Sequence, residues 1–257
     1  MIKYLDRLAE VTGKNFRESI LFLGRIFTFL LKSLCRRPHF GKIRDQMFEL
    51  GVCSFPLILL VSVFSGFIAT LTYSEITARF HATPILMGRM VGTTIFIEIG
   101  PALVGLILSA RVAARIAAQL GSMKVSEQLD AMVCLSLDPY RYVIQPRIIA
   151  CFIMAPTFYV FSSVLAVIAA QILSTVLYGL APIAFYNGMR NGFSVQTIST
   201  GFVKVITFTT INALIGCFFG FSVKGGAQNI GRATRNAVVA SSVLILVANL
   251  IISSLFL

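Results

Sequence analysis

Long apolar runs separated by short polar segments dominate the pattern of this chain. Five stretches reach the length of about 20 residues that an α-helix needs to cross a bilayer. They are residues 51–74, 90–110, 148–176, 200–223 and 236–257. Apolar and polar positions do not alternate within these runs, as they do in the strands of a membrane β-barrel. The pattern predicts an all-α integral membrane protein with five transmembrane helices, organised as a single domain over residues 1–257.

The stretch between Ile148 and Arg190 carries no charge and has room for one extended span or for two. With one span, the basic residues beside the apolar runs all fall on one side of the membrane. They are Arg111, Arg115, Lys124, Arg141, Arg147, Lys224, Arg232 and Arg235. With two spans, the loop at residues 224–235 would move to the opposite side. Because Lys and Arg concentrate in cytoplasmic loops, one span is favoured. The N-terminus is then cytoplasmic, whereas the segment with Pro182 and Arg190, like the C-terminus, is extracytoplasmic.

The stretch at residues 14–35 is apolar but interrupted by Arg17, Glu18, Arg25 and Lys32. Arg25 and Lys32 lie one heptad apart and share one face of a helix, while leucine, isoleucine and phenylalanine cover much of the rest. These residues are predicted to form an amphipathic helix that lies in the cytoplasmic interface and does not span the membrane.

The composition restricts the class of protein. Hydrophobic residues make up 57% of the 257 and charged residues only 12%, about half the usual share of roughly 25%. The net charge of +12 does not indicate nucleic-acid binding, because ten of the 22 Lys and Arg precede residue 45 and most others flank apolar runs. The five cysteines are scattered and are expected to be small buried hydrophobes. Soluble enzymes and soluble binding modules are excluded.

The polar segment at residues 122–146 contains a predicted short helix. Ser126 is a candidate N-cap, and Glu127 would lie in the first turn, where the helix dipole favours an acid. Leu129, Met132 and Val133 follow the spacing of one apolar helix face. Two interpretations remain open at this point, a solvated cytoplasmic loop and a helix that docks in a partner's groove.

Glu98 is the most informative single residue, because a carboxylate inside a span is costly unless it is paired, hydrated or protonated. Gly100 and Pro101 follow it and predict a break in the helix. Lys204 enters a later span from the same outer side and is the expected partner, so that an acid and a cation could orient a lipid headgroup. The alternatives are a structural hydrogen bond for Glu98 and snorkelling to the interface for Lys204.

No catalytic constellation is found in the sequence. The phosphate-binding pattern G-x-x-x-x-G-K-[ST] is absent, so the chain does not bind ATP through a P-loop. The two histidines, His39 and His81, are far apart and have no neighbouring metal ligands in the sequence. We expect no cofactor and no metal, and any energy source must come from another subunit.

Three motifs carry a resemblance to a known family. They are E-x-G-P-x-L at residues 98–103, A-A-x-L-G-x-M-x-V-x-E-Q-x-D-A at residues 117–131, and G-R-A-T at residues 231–234. In these motifs, and over nearly its whole length, the chain resembles the Mla-type permeases. These are the MCE-associated membrane subunits of ABC transporters that move phospholipids between bacterial membranes and maintain outer-membrane lipid homeostasis.

The resemblance implies a set of partners. The permease would be a non-catalytic homodimer in the bacterial inner membrane, bound to two cytoplasmic ATPases that hydrolyse ATP. A small STAS-domain protein often accompanies the ATPases, and a ring of MCE-domain proteins caps the outer face. No nucleic acid is involved. The interfacial helix would meet the membrane anchor of the MCE protein.

The resemblance also implies roles for individual residues. Glu98 matches the family's acid in the lipid cavity, and Lys204 aligns with a basic residue near it. The family's coupling helix, which inserts into the ATPase, matches Glu127, Gln128, Leu129, Asp130 and Met132. Two positions depart from other members, with Ile97 in place of an arginine and Asn249 in place of an acid.

Two rival functions remain open from the sequence. The main rival is an ion- or proton-coupled secondary transporter that uses Glu98 and Lys204 and needs no ATPase. The other is a membrane scaffold without a transport path, in which Glu98 is purely structural.

Overall fold

The computed structural model describes residues 40–79 and 84–256, and every regular element in that part of the chain is helical. The α-helices are α1 (Phe40–Gln46), α2 (Phe55–Arg79), α3 (Pro84–Thr94), α4 (Gly100–Leu108), α5 (Ala114–Val125), α6 (Gln128–Cys134), α7 (Gln145–Tyr178), α8 (Pro182–Gly192), α9 (Val195–Phe221) and α10 (Ala227–Phe256). Short π-helical turns join several of them end to end. The interfacial helix predicted at residues 14–35 lies outside the described residues.

Five helices in the described residues are long and apolar enough to cross a membrane, which confirms the predicted number of spans. They are Gly41–Ile76, Ile85–Val125, Tyr140–Tyr178, Val195–Phe221 and Ala227–Phe256, numbered here as spans 1 to 5. The uncharged stretch after residue 148 holds one span and not two, as predicted. The extracytoplasmic segment predicted after it contains α8.

The second span is longer than the apolar run at residues 90–110 predicts. It has 41 residues, and at about 1.5 Å per residue it is roughly 60 Å long, about twice the hydrocarbon thickness of a bilayer. The span therefore continues beyond the apolar run into the segment that carries Arg111 and Arg115. The start of the predicted coupling segment, at residues 122–125, is still part of this helix.

The predicted helix break at Gly100 and Pro101 is wrong. A π-helical turn, Ile95–Ile99, precedes these residues, and the chain continues directly as α4. The N–H of Gly100 bonds the carbonyl of Ile95, five residues back, and Pro101 occupies the first turn of α4. The proline removes the N–H that would bond the Ile97 carbonyl, and Lys204 donates to that carbonyl instead. The helix is distorted but not interrupted.

One end of the bundle collects the basic residues predicted to be cytoplasmic. A Cβ added at Gly121 would lie 3.2 Å from Val223 and 3.3 Å from Ile230, so the end of span 2 packs beside the loop that joins spans 4 and 5. This contact brings residues 224–235 to the side of Arg111 and Arg115, as the charge pattern predicts. We call this side the basic end, and the other side, which holds α8, the opposite end.

Glycines allow backbones to touch at both ends. A Cβ at Gly216 would lie 2.8 Å from the carbonyl oxygen of Ala113, which seats span 4 directly on span 2. At the opposite end, Gly88 of α3 meets the Phe185 carbonyl and Gly188 of α8 meets the Ile85 carbonyl. Small residues allow such close approach in lipid, and these glycines therefore serve helix packing within the chain.

The apolar core has two main parts. The larger cluster joins spans 2, 3 and 4 and includes Ile116, Phe158 and Val205. A second cluster, at the opposite end, joins α3 and α8 to spans 1 and 3. The distorted turn that carries Glu98 lies between these two clusters.

Candidate functional site

The π-helical turn leaves two backbone carbonyls for other helices to satisfy. The N–H of Gly100 bonds Ile95 and not Phe96, and Pro101 has no N–H to offer to Ile97. The Tyr159 hydroxyl of span 3 donates to the Phe96 carbonyl at 3.1 Å. The Lys204 ammonium of span 4 donates to the Ile97 carbonyl at 2.9 Å. The distorted turn therefore offers two backbone acceptors, and their hydrogen bonds hold spans 3 and 4 against span 2.

Lys204 and Glu98 form the ion pair that the sequence predicts. The Lys204 Nζ lies 2.7 Å from Glu98 Oε1, and the two residues are 106 positions apart. The Lys204 side chain has no exposed surface, whereas that of Glu98 is 41% exposed. Burial of a cation is costly without a counter-ion and further acceptors. Glu98, the Ile97 carbonyl and the Ser253 hydroxyl, 2.7 Å away, provide them.

Span 5 completes the site with two polar residues that the sequence analysis did not assign to it. The Ser253 hydroxyl donates to Glu98 Oε1 at 2.8 Å, and the Asn249 amide donates to Oε2 at 3.2 Å. These residues are four apart and so share one face of the helix. A serine and an asparagine at this spacing in an otherwise apolar run are the signal that would have revealed them.

The exposed side of Glu98 faces a cavity of about 400 Å³, at the lower end of the range of about 300–1,000 Å³ for small-molecule sites. The cavity lies between spans 2, 4 and 5 at the opposite end. Its lining is Thr93, Thr94, Ile97, Glu98, Ser194, Gln196, Thr197, Thr200, Ser253 and Phe256. Ser194 caps span 4 by accepting the Thr197 N–H at 3.1 Å, which turns the chain into the cavity wall.

Lys204 does not line this cavity. It lies behind Glu98, and its ammonium is engaged by three acceptors in this structure. A direct contact between Lys204 and a headgroup, which the sequence suggests, therefore stays a prediction that requires the pair to separate. In the observed arrangement Lys204 positions the carboxylate.

The predicted coupling residues lie at the basic end. Gln128, Leu129, Asp130 and Met132 belong to α6. Leu129 is 1% exposed and anchors the helix, whereas Gln128 is exposed and Met132 is half-buried. Asp130 forms an ion pair with Lys124 at 2.7 Å, so α6 is tied to the end of span 2.

The predicted N-cap at Ser126 is wrong. The residue that precedes α6 is Glu127, which has a left-handed backbone with φ of 58° and makes no capping hydrogen bond. The Ser126 hydroxyl donates instead to the Ser122 carbonyl at 2.8 Å. Span 2 continues as a helix up to Val125, so Ser126 completes the last turn of that span and does not start the next helix.

The surface of α6 and the turn after it is apolar and exposed. Val133 is 59% and Leu135 is 72% exposed, and Leu137 is exposed as well. Large apolar side chains clustered outside the bilayer-length runs are typical of interaction sites. This cluster is called the apolar patch below.

A second polar network, absent from the sequence analysis, joins three helices at the basic end. Glu49 Oε1 accepts from Arg115 at 2.7 Å and from the Gln119 amide at 2.6 Å. Arg147, only 6% exposed, donates to Gln46 and Gln119, at 3.3 Å each. The network fixes span 1 to the helices that run into and out of α6.

The fold and the site define a class of protein. Five membrane-length helices, a distorted helix with a buried ion pair facing a polar cavity, and an exposed apolar patch at the other end are the parts of a membrane transport subunit. Comparison with known sequences agrees. The profile of the family described as "Permease MlaE" matches residues 43–255, and the chain belongs to this permease family.

Three relatives illustrate the family. A probable ABC transporter permease protein of Rickettsia typhi is 32% identical over 256 residues, 98% of each chain. The intermembrane phospholipid transport system permease protein MlaE of Haemophilus influenzae is 28% identical over 248 residues, 95% of each chain. The chloroplastic protein trigalactosyldiacylglycerol 1 of Arabidopsis thaliana is 28% identical over 240 residues, which cover 92% of this chain and 66% of the plant protein.

Proposed function

We propose that this chain is the non-catalytic permease subunit of an ABC transporter that moves phospholipids between the bacterial inner membrane and an MCE-domain protein on its outer side. The observation that carries the proposal is the cavity at the opposite end, where a partly exposed carboxylate sits among hydroxyl groups inside a membrane-spanning bundle. The name of the Haemophilus relative, a phospholipid transport permease, supports a lipid substrate. Glu98 is the residue that would meet the headgroup.

The apolar patch supports an ATPase partner on the basic end. It lies on the end of α6 and the turn after it, and the chain on either side of α6 runs directly into spans 2 and 3. Movement of α6 would therefore reach the turn that carries Glu98 through the length of span 2. Glu127, Gln128, Asp130 and Met132 would surround the contact, with Leu129 holding α6 to the bundle.

We further propose two copies of the permease with two ATPases and, in some assemblies, a STAS-domain protein. Span 5 supports the dimer, since its half-buried Ser253 and Asn249 bond Glu98, whereas Val243, Leu246 and Leu250 are exposed. The basic end would be cytoplasmic because Lys and Arg concentrate there. The N-terminus would then be cytoplasmic and the C-terminus periplasmic.

Native mass spectrometry of the tagged chain, gently extracted from its own membranes, tests the proposal. We expect two permease copies, two ATPase-sized partners and a bound phospholipid. A lone chain or a bare dimer under several mild conditions would contradict the proposal and point to a transporter that works without an ATPase.

A further inference from the structure

The cavity presents negative charge without a matching positive charge. Among the described residues that line the cavity, Glu98 is the one with a formal charge, and the side chain of its partner Lys204 is completely buried. The ion pair is therefore a dipole whose carboxylate end faces the cavity. In a site surrounded by lipid and protein, such a dipole attracts cations more strongly than it would in water.

Three of the six hydroxyl side chains in the described lining can act only as acceptors toward a ligand. A hydroxyl has one proton to donate and two lone pairs to accept with. Thr93 already donates to the Arg89 carbonyl at 2.9 Å, and Thr200 to the Gln196 carbonyl at 2.7 Å. Ser253 donates to Glu98 itself. These three side chains can offer a ligand lone pairs but no protons.

The amide in the wall has one of its donors in use. The Gln196 side-chain nitrogen donates one of its two N–H groups to the Phe256 carbonyl at 2.8 Å, and the side-chain oxygen can accept. An anion such as a phosphate needs donors, and this wall offers few. A ligand with several N–H donors and a positive charge matches it.

Arg89 lies near the wall of the cavity but is not part of its lining. Arg89 is exposed and comes one helical turn before Thr93. Both pack beside Gly192, where an added Cβ would lie 2.8 Å from Arg89 Cγ and 3.0 Å from Thr93 Cγ2. In the described part of the chain Arg89 has no ion-pair partner. It is an exposed cation on the same span as Glu98, nine residues earlier in the chain.

We propose that the cavity selects a phospholipid headgroup that carries a primary ammonium, of the ethanolamine type. The inference rests on the proposed lipid transport and adds the chemistry of the headgroup. The three N–H groups of a primary ammonium match Glu98 and the acceptor hydroxyls. A choline headgroup has the charge but no N–H, a glycerol headgroup has no positive charge, and a serine headgroup adds a carboxylate that Glu98 repels.

The test is competitive lipid binding to the full-length chain. The purified protein is mixed with dioleoyl phosphatidylethanolamine, its N-methyl and N,N-dimethyl forms, phosphatidylcholine, phosphatidylserine and phosphatidylglycerol in equal amounts. Bound lipids are counted by native mass spectrometry. We expect binding to fall with each methyl group, with phosphatidylethanolamine retained about tenfold over phosphatidylcholine, the effect of one charge-assisted hydrogen bond. The serine and glycerol headgroups should be retained least.

Matched variants test whether the headgroup preference depends on the cavity wall. Thr93→Val removes an acceptor from the cavity wall, and we expect it to reduce the preference about threefold. Thr72→Val removes a hydroxyl that also donates one turn back, to the Ile68 carbonyl, but outside the cavity, and should leave the preference unchanged. Equal effects of the two variants would overturn the assignment. Glu98→Gln should reduce the preference for the ammonium to within about twofold.

The outcomes separate the two proposals. Equal retention of all headgroups, or stronger retention of phosphatidylglycerol, would overturn the headgroup inference while a lipid site remains. Failure to retain any phospholipid would overturn the proposed transport function as well.

Discussion

At the scale of single residues, the site depends on an asymmetric ion pair. Lys204 is completely buried, while Glu98 reaches the cavity. Removing the Glu98 side chain and removing the Lys204 side chain therefore have different energetic costs. An ammonium without a counter-ion in the interior is much more costly than a carboxylate that contacts water in a cavity.

Glu98→Leu should destabilise the chain more than Lys204→Met. The first change leaves the buried Lys204 ammonium without its counter-ion, at a cost of about 3–5 kcal/mol. The second leaves the Ile97 carbonyl without its donor, at a cost of about 1–3 kcal/mol. The thermal unfolding midpoints of the two variants in detergent give the order, and a lower midpoint for Lys204→Met would contradict this account of the pair.

The sequence identifies Glu98 and Lys204 because charged residues are conspicuous in an apolar run. It does not identify Tyr159 or Gly201, because a tyrosine and a glycine are ordinary in membrane helices. Their roles depend on which helix packs against the π-helical turn, and that is decided by tertiary contacts. The same holds for the buried Arg147, which the sequence places only as a flanking charge.

At the scale of helices, the π-helical turn is held by close contact with span 4. A Cβ at Gly201 would collide with the Phe96 carbonyl and the Tyr159 hydroxyl. No rotamer change of a side chain removes the clash with the backbone. This glycine therefore allows Lys204, one turn further on, to reach the turn.

Gly201→Ala is expected to lower the stability of the chain by about 1–3 kcal/mol, the usual cost of overpacking. Gly231→Ala is the matched control, because nothing lies within 4 Å of a Cβ added there. In a helix that change should be neutral or stabilising by about 0.5–1 kcal/mol. Thermal midpoints that shift equally for both variants would show that Gly201 has no packing role.

The lengths of the helices are the feature of the fold that the sequence predicts least well. Hydropathy locates the part of a helix that lies in lipid, and it predicted the number of spans correctly. It does not report how far a helix extends beyond the lipid. Spans 2 and 3 extend at the basic end, where Gln119 and Arg147 join the polar network with Glu49. The start of α6 was misplaced for the same reason, since Ser126 completes the extended span 2.

The apolar patch gives a prediction for assembly. Changing Val133 and Leu135 together to serine should reduce the ATPase recovered with the permease at least tenfold, because exposed apolar side chains at an interface supply its desolvated centre. The amount of permease in the membrane should not change. Ala227→Ser, an exposed alanine at the same end, is the control, and normal ATPase recovery with the double variant would exclude the patch as the docking site.

At the scale of the whole molecule, the two functional regions lie at opposite ends of one continuous helix. Span 2 carries Glu98 near its first third and ends beside α6, which bears the apolar patch. A helix transmits displacement along its axis because most of its backbone is hydrogen-bonded turn to turn, and at the π-helical turn Tyr159 and Lys204 supply bonds to the Phe96 and Ile97 carbonyls. The polar network of Glu49, Arg115 and Arg147 links span 1 to span 2 at the basic end.

This arrangement accounts for a chain that has a ligand cavity but no nucleotide-binding motif. The sequence predicts that the energy for transport comes from a partner subunit, and membership of the permease family agrees with this prediction. We propose that the polar cavity and the apolar patch are two sites of one mechanism, joined by span 2.

The most direct test is ATP-dependent movement of phospholipid in proteoliposomes that contain the permease with its ATPase partner. A headgroup-labelled phosphatidylethanolamine should change leaflet or leave the membrane when ATP is supplied. Glu98→Gln should reduce the rate at least tenfold with the complex intact, and Thr72→Val should not. Movement that proceeds without the ATPase and follows an ion gradient, or that is unaffected by Glu98→Gln, would contradict the central claim.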